Sequence, residues 1–251
     1  MELEQFFAQH PKAALGLSGG VDSAYLLWAG LRYGAQLQPY FVKTAFQPAF
    51  ELRDAQQLCQ SLGVELTVFP LDVLALPTVA QNPADRCYYC KKALFGALGR
   101  QAAADGFSVL LDGTNASDDA GDRPGMRALA ELRVLSPLRL CGLTKAQVRQ
   151  GARQAGLAVW DKPAYACLAT RVPQGRALTA SLLDRVEQAE GALAALGFSD
   201  FRVRVLENAA RIQLPASQWA ELLHQAEQVK AALAPYFDPV LLDLCARETE
   251  G

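Results

Sequence analysis

Short apolar runs alternate with amphipathic stretches along the first part of the chain. Residues 12–17 (KAALGL) form a compact apolar run closed by Ser18-Gly19-Gly20, the pattern of a buried strand. From Asp22 onward the apolar positions fall at helical spacing and stop at Gly34, a C-terminal cap. Residues 37–42 read as a second strand, 53–62 as a helix ending at Gly63, and 64–69 alternate as a strand does. A further helix is predicted from near Tyr89 to about Ala104, then a strand over 107–111 ending in Asp112-Gly113. Strand and helix patterns alternating at this pace predict an α/β fold, a parallel doubly wound sheet with helices on both faces.

Beyond Gly175 the texture changes. An Ala/Leu-rich helical pattern covers 178–196, two strand patterns follow at 201–206 and 210–214, then a helix over 219–233 and a strand over 240–244. These predict a smaller α+β domain, with boundaries at 1–175 and 176–251. A chain of 251 residues has room for such a main core plus a lesser one.

Composition narrows the classes of function. Hydrophobic residues make up 51% and charged residues 20%, ordinary for a soluble globular protein. With a net charge of −2 and no dense Lys/Arg run, a large sequence-independent nucleic-acid footprint is not expected. The opening MELEQ lacks the basic-then-apolar pattern of a secretory signal, and no apolar stretch approaches the roughly 20 residues of a membrane span. A cytoplasmic protein is expected. Its six cysteines then read as thiols or metal ligands rather than as a disulfide framework.

The first candidate chemistry is Ser18-Gly19-Gly20-Val21-Asp22-Ser23, between the first predicted strand and the first predicted helix. Glycines let a backbone come close to an anion, and a helix N-terminus offers unpaired N–H groups and a positive dipole end. Ser18 and Ser23 add hydroxyl donors. The Lys-Ser/Thr ending of a Walker A loop is absent. A glycine turn capped by Ser and Asp is the plainer alternative, but the full six-residue match in a strand–loop–helix setting favours phosphate binding. The segment resembles the SGGxDS signature of PP-loop ATP pyrophosphatases. That resemblance implies ATP cleavage between the α- and β-phosphates, a loop that holds the departing pyrophosphate, and Asp22 helping to place Mg²⁺.

A C-x-x-C lies in Arg86-Cys87-Tyr88-Tyr89-Cys90-Lys91-Lys92, and Cys167 lies in Lys162-Pro163-Ala164-Tyr165-Ala166-Cys167-Leu168-Ala169-Thr170-Arg171. Between them runs Leu111-Asp112-Gly113-Thr114-Asn115-Ala116-Ser117-Asp118-Asp119. Alone, the C-x-x-C also fits a redox pair or half of a zinc site. Together these segments resemble the ATP-dependent sulfur transferases (LarE family) of nickel-pincer nucleotide synthesis, over most of the chain. The resemblance implies an enzyme whose small-molecule substrate is pyridinium-3,5-biscarboxylic acid mononucleotide. Its carboxylates would be adenylated and then converted to thiocarboxylates. It implies that Cys167 handles sulfur, either by giving up its own or, with Cys87 and Cys90, as a ligand of a [4Fe-4S] cluster. It further implies a homo-oligomer that works with the other enzymes of the cofactor pathway.

Weaker signals accompany these. Arg202 and Arg204 alternate on a strand and share a face, matching an Arg-x-Arg that in the family would hold the substrate phosphate; two such arginines are more often a solvated face. Arg171 could serve the same charge, and Glu190 is a further active-site candidate. Asp118 and Asp119 could approach Mg²⁺ or simply form a turn. Lys162-Pro163 resembles the mobile lysine loop of PP-loop enzymes. His10 and His224 fit no ligand spacing and read as structural, Cys59 and Cys245 lie in apolar surroundings and read as small core residues, and Cys141 falls in no motif. Two other functions fit some of the same residues: a PP-loop tRNA thiolase with a [4Fe-4S] cluster, and a nucleotide-binding regulator without catalysis. The absence of zinc-ribbon cysteines and of a basic excess speaks against the first.

Overall fold

A computed structural model describes residues 1–118 and 123–248. In chain order its elements are α1 (Leu3–Gln9), β1 (Lys12–Gly16), α2 (Val21–Arg32), β2 (Gln36–Lys43), α3 (Ala49–Ser61), β3 (Thr67–Pro70), α4 (Pro77–Ala80) and α5 (Arg86–Ala104). There follow β4 (Leu110–Leu111), α6 (Arg123–Glu131), α7 (Pro137–Leu140), α8 (Lys145–Gln154) and α9 (Ala180–Ala195). The chain closes with β5 (Arg202–Leu206), β6 (Ala209–Gln213), α10 (Trp219–His224), α11 (Ala226–Leu233) and β7 (Val240–Leu242). Among the described residues, no helix is long and apolar enough to cross a membrane.

Two compact units form: Met1–Val73 with Asp85–Lys162, and Leu74–Ala84 with the chain from Pro163 onward. In the first, four parallel strands lie in the order β3-β2-β1-β4. The apolar run of β1 is buried on both faces, as central parallel strands are. Ala13 and Leu15 pack with Leu26 and Leu27 of α2, Leu58 of α3, and Val148 and Ala152 of α8. Ala14 points the other way, into a cluster with Tyr40, Phe107 and α5 residues Leu98 and Ala102. This two-sided burial makes the α/β reading of the sequence correct. A bridge between Leu111 and Leu135 continues the sheet past β4 and brings Ser136 beside Asp112.

In the second unit, β5 and β6 pair antiparallel, and β6 and β7 pair parallel. Helix α9 packs against β5 and α11, burying Val186, Ala189 and Leu193 together with Val203, Val205 and Val229. The segment 163–175, assigned to the first domain by its sequence, groups here with the second unit. Backbone hydrogen bonds explain this: Gly175 N–H donates to Asn82 O (2.8 Å) and Leu178 N–H to Ala80 O (2.7 Å). They tie both sides of Gly175 to a segment almost a hundred residues earlier.

Element ends differ in places from the sequence pattern. Helix α5 begins at Arg86, so Cys87 and Cys90 both lie in its first turns. Strand β3 begins at Thr67, because Val64 and Leu66 pack against the core without pairing. The helix predicted over 219–233 breaks into α10 and α11 at Gln225, whose amide donates back to Glu221 (2.5 Å).

Candidate active site

The phosphate-type loop leaves the carboxyl end of β1, where ligands of open α/β sheets bind. Gly19 has φ +79°, and a Cβ there would come within 2.6 Å of Glu51 O, so both the conformation and the space require glycine. Gly20 is the N-cap of α2 and supplies no side-chain cap to it. The loop instead braces itself: Ser23 Oγ accepts from Ser18 N–H (3.2 Å), and Ser18 Oγ accepts from Gly20 N–H (3.3 Å). The two hydroxyls lie 3.1 Å apart. Ser18, Gly19, Gly20 and Ser23 are thus brought together as one pre-shaped turn.

Asp22 is held from two sides. Its Oδ1 accepts from Asn115 Nδ2 (3.1 Å), and its Oδ2 pairs with Lys145 Nζ (2.5 Å). Asn115 is fully buried and is itself fixed: its N–H donates to Asp118 (2.7 Å), and its Oδ1 accepts from Ser117 N–H (2.8 Å). Asp118 therefore serves the turn, while Asp119 lies outside the described residues. Gly113 lets this segment approach, since a Cβ there would sit 2.8 Å from Ser23 N. Asp112, nine-tenths buried, accepts from Ser136 Oγ (2.5 Å) and Thr114 Oγ1. Burial pushes its carboxyl above the usual range, against the pull of those two hydroxyls. A cavity of about 130 Å³ opens beside the loop, lined by Gly16 to Ser18, by Tyr40 to Val42 of β2, by Gln47 and by Phe95 of α5. Lys162 reaches α3, where its ammonium pairs with Asp54 and lies 4.7 Å over the Phe50 ring.

Lys145 and Asp54 were missed from the sequence. For Lys145 a signal existed: Thr144-x-x-Gln147 is a capping box, which places the lysine at the first position of a helix. Nothing comparable marked Asp54.

Cys87 and Cys90 are three residues apart on α5, so their side chains leave one helix face. Arg86 Nη2 lies 3.6 Å from Cys87 Sγ. Cys167 belongs to the second unit, just ahead of a 3₁₀ turn over Leu168–Arg171. No disulfide joins any of the six cysteines. Among the described residues, no group of three His, Cys, Asp or Glu side chains is assembled to hold a metal ion. Cys59, as its sequence setting suggested, is a core residue, and burial pushes its thiol up to about 11. Cys245, read the same way, is instead exposed, in the stretch that follows β7.

In the second unit the structure brings Arg171 and Glu190 together. Arg171 is 1% exposed and donates from Nε and Nη2 to the two Glu190 oxygens (2.8 and 3.2 Å). Its Nη1 donates to Ala166 O (2.8 Å) and Thr170 Oγ1 (2.9 Å), on either side of Cys167. Glu190 also accepts from Val203 N–H (2.9 Å) and from the Tyr165 hydroxyl. The guanidiniums of Arg171 (4.4 Å) and Arg202 (5.1 Å) both lie over the Tyr165 ring, and burial, then the Glu190 charge, raises its phenol. Arg202 is buried and donates to the carbonyls of Phe201 (2.6 Å) and Ala164. Burial, with Arg171 and Arg247 nearby, lowers it to about 10. Arg204 donates from Nε to Gln213 (2.8 Å) and from Nη1 to Thr170 O (3.2 Å). Its Nη2 makes no hydrogen bond among the described residues.

An all-parallel sheet with a glycine loop at its carboxyl edge, joined to a small mixed sheet, defines a PP-loop-type α/β protein. No family model matches the chain. An uncharacterized protein of Synechocystis is 39% identical over 219 residues, 86% of this chain and 81% of that protein. The pyridinium-3,5-bisthiocarboxylic acid mononucleotide synthase of Lactiplantibacillus plantarum is 31% identical over 236 residues, 93% of this chain and 86% of the synthase. An uncharacterized protein of Methanocaldococcus jannaschii is 27% identical over 237 residues, 94% of this chain and 90% of its own. The chain belongs to the pyridinium-3,5-bisthiocarboxylic acid mononucleotide synthase (LarE) family.

Proposed function

We propose that this chain is an ATP-dependent sulfur transferase that adenylates the carboxylates of pyridinium-3,5-biscarboxylic acid mononucleotide and turns them into thiocarboxylates. The observation that carries this reading is the match, over 93% of the chain, to a synthase named for the bisthiocarboxylic product. The braced glycine loop supports it, being built to receive an anion. A carboxylate oxygen is a poor leaving group. Attack of that oxygen on the α-phosphorus breaks the bond to the β-phosphate, releases pyrophosphate and leaves an acyl-adenylate. A sulfur nucleophile then displaces AMP.

The loop N–H groups and the N-terminus of α2 would hold the pyrophosphate, and the apolar cavity beside them would take the nucleoside. Mg²⁺ is commonly held by one or two carboxylates plus substrate phosphates, which fits Asp22, and it would neutralise charge on the departing oxygens. For the substrate phosphate, Arg204 is the strongest candidate, because Arg171 and Arg202 are spent on buried partners. Glu190 acts through Arg171 and Tyr165 rather than by itself. By the family resemblance, Cys87, Cys90 and Cys167, whose motifs hold no fourth ligand, would supply three thiolates to a [4Fe-4S] cluster. Such a cluster would supply an open iron for an additional sulfide.

The deciding experiment is anaerobic incubation of the protein with ATP, Mg²⁺, sulfide and the biscarboxylic mononucleotide. Substrate-dependent AMP and pyrophosphate, with sulfur replacing carboxylate oxygen in the product mass, is expected. Pyrophosphate release indifferent to that nucleotide would overturn the substrate assignment.

A further inference from the structure

Lys145 carries a cation to a place where its own helix disfavours one. It is the first residue of α8, and a positive charge at a helix N-terminus opposes the macrodipole. Its backbone is nonetheless fixed there from two sides. The Thr144–Gln147 capping box closes the first turn, and Lys145 N–H donates to Ser117 Oγ (3.0 Å). Its ammonium lies 2.5 Å from Asp22 Oδ2, and both side chains are 21% exposed. Ser117 belongs to the same turn as Asn115, which holds the other oxygen of Asp22. Two separate elements thus converge on one carboxylate, and one of them brings a full charge.

The charge balance of the loop explains why. An uncompensated carboxylate at the start of α2 would repel the polyphosphate that the loop N–H groups attract. A lysine is also a compact, mobile point charge on a long stem, able to change partners without moving its backbone. We infer that Lys145 is a phosphate-binding residue of the loop site: it neutralises Asp22 before nucleotide binds and turns to the pyrophosphate once a metal ion takes over that carboxylate. This inference rests on the adenylating reading above and adds a residue to its pyrophosphate site.

Calorimetric titration of the whole protein with inorganic pyrophosphate in Mg²⁺ tests it, with thermal melting as the control for the fold. Lys145→Met is expected to weaken pyrophosphate binding about 10- to 100-fold, the range for a lost charge-assisted hydrogen bond. Lys145→Gln, which keeps a donor for Asp22 but no charge, should weaken it comparably, and Lys145→Arg should retain most of the affinity. Wild-type affinity in the Met and Gln variants would overturn the inference, leaving the adenylating reading intact; a lowered melting temperature with that affinity would make Lys145 a structural partner of Asp22. An Arg variant as weak as Met would overturn it too, since charge would not be what matters. A wild-type protein that binds neither pyrophosphate nor ATP would overturn the adenylating reading and this inference with it.

Discussion

Replacing Arg171 with methionine removes a buried cation from beneath the turn that carries Cys167. Methionine fills much of the space of the arginine stem but leaves the Glu190 carboxylate, 6% exposed, with Val203 N–H and the Tyr165 hydroxyl as partners. Removing one side of a buried ion pair costs about 3–5 kcal/mol. Because two donors remain to Glu190, the lower end, about 3 kcal/mol, is expected. Trp219 lies in the second unit, and Trp28 and Trp160 in the first. Urea unfolding followed by tryptophan fluorescence in a Trp28→Phe/Trp160→Phe background therefore reports the second unit. At a slope of about 1–3 kcal/mol per molar urea, the midpoint should fall by about 1–3 M. Arg171→Met/Glu190→Gln removes the orphaned charge, keeps an acceptor for Val203 N–H and gives Tyr165 a donor, so it should recover half the loss or more. Arg171 Nη1 also bonds Ala166 and Thr170, so Cys167 in the single variant should react faster with iodoacetamide. A loss below about 1 kcal/mol, typical of a surface change, would refute the argument. So would a double variant no more stable than Arg171→Met.

Gly19→Ala should lower ATP affinity at least about tenfold, because a left-handed conformation costs a non-glycine residue about 1–2 kcal/mol and the new methyl would meet Glu51 O. Titration with ATP checks this. Arg204→Met should raise the KM for the mononucleotide about 10- to 100-fold and leave the KM for ATP nearly unchanged, as a lost phosphate contact would; equal effects on both would return Arg204 to a structural role. Cys87→Ala, reconstituted anaerobically, should lose iron and sulfur transfer but keep substrate-dependent pyrophosphate release; iron-free protein that still transfers sulfur over many turnovers would rule the cluster out.

What could be read from the sequence was what the chain decides locally. The β1 run, the loop and α2 lie within about twenty residues, and their apolar spacing and glycines state the local fold, a strand, a tight turn and a helix. The start of α5 was misplaced because its N-cap, Asp85, makes no side-chain cap and Arg86-Cys87-Tyr88 shows no apolar periodicity. The grouping of 74–84 with the second unit rests on backbone bonds to Gly175 and Leu178, which leave no trace in composition.

Side-chain partners distant in sequence change the standing of candidate residues most. Arg171 and Glu190 were read as separate candidates, one for substrate charge and one for the active site, yet they bind each other across nineteen positions. Asp22 was read alone, and its partners Asn115 and Lys145 lie about a hundred residues away. Residue type tells what a side chain is able to do, and its partners tell how much of that capacity is already used. By that measure Arg171 and Arg202, filled with internal acceptors, are held in place to shape the turn around Cys167. Arg204 keeps a terminal nitrogen unengaged, and the Lys145 ammonium is engaged to a carboxylate that a metal ion would claim. On the proposed reading, those two cations are where an incoming phosphate would find charge to bind without breaking the fold.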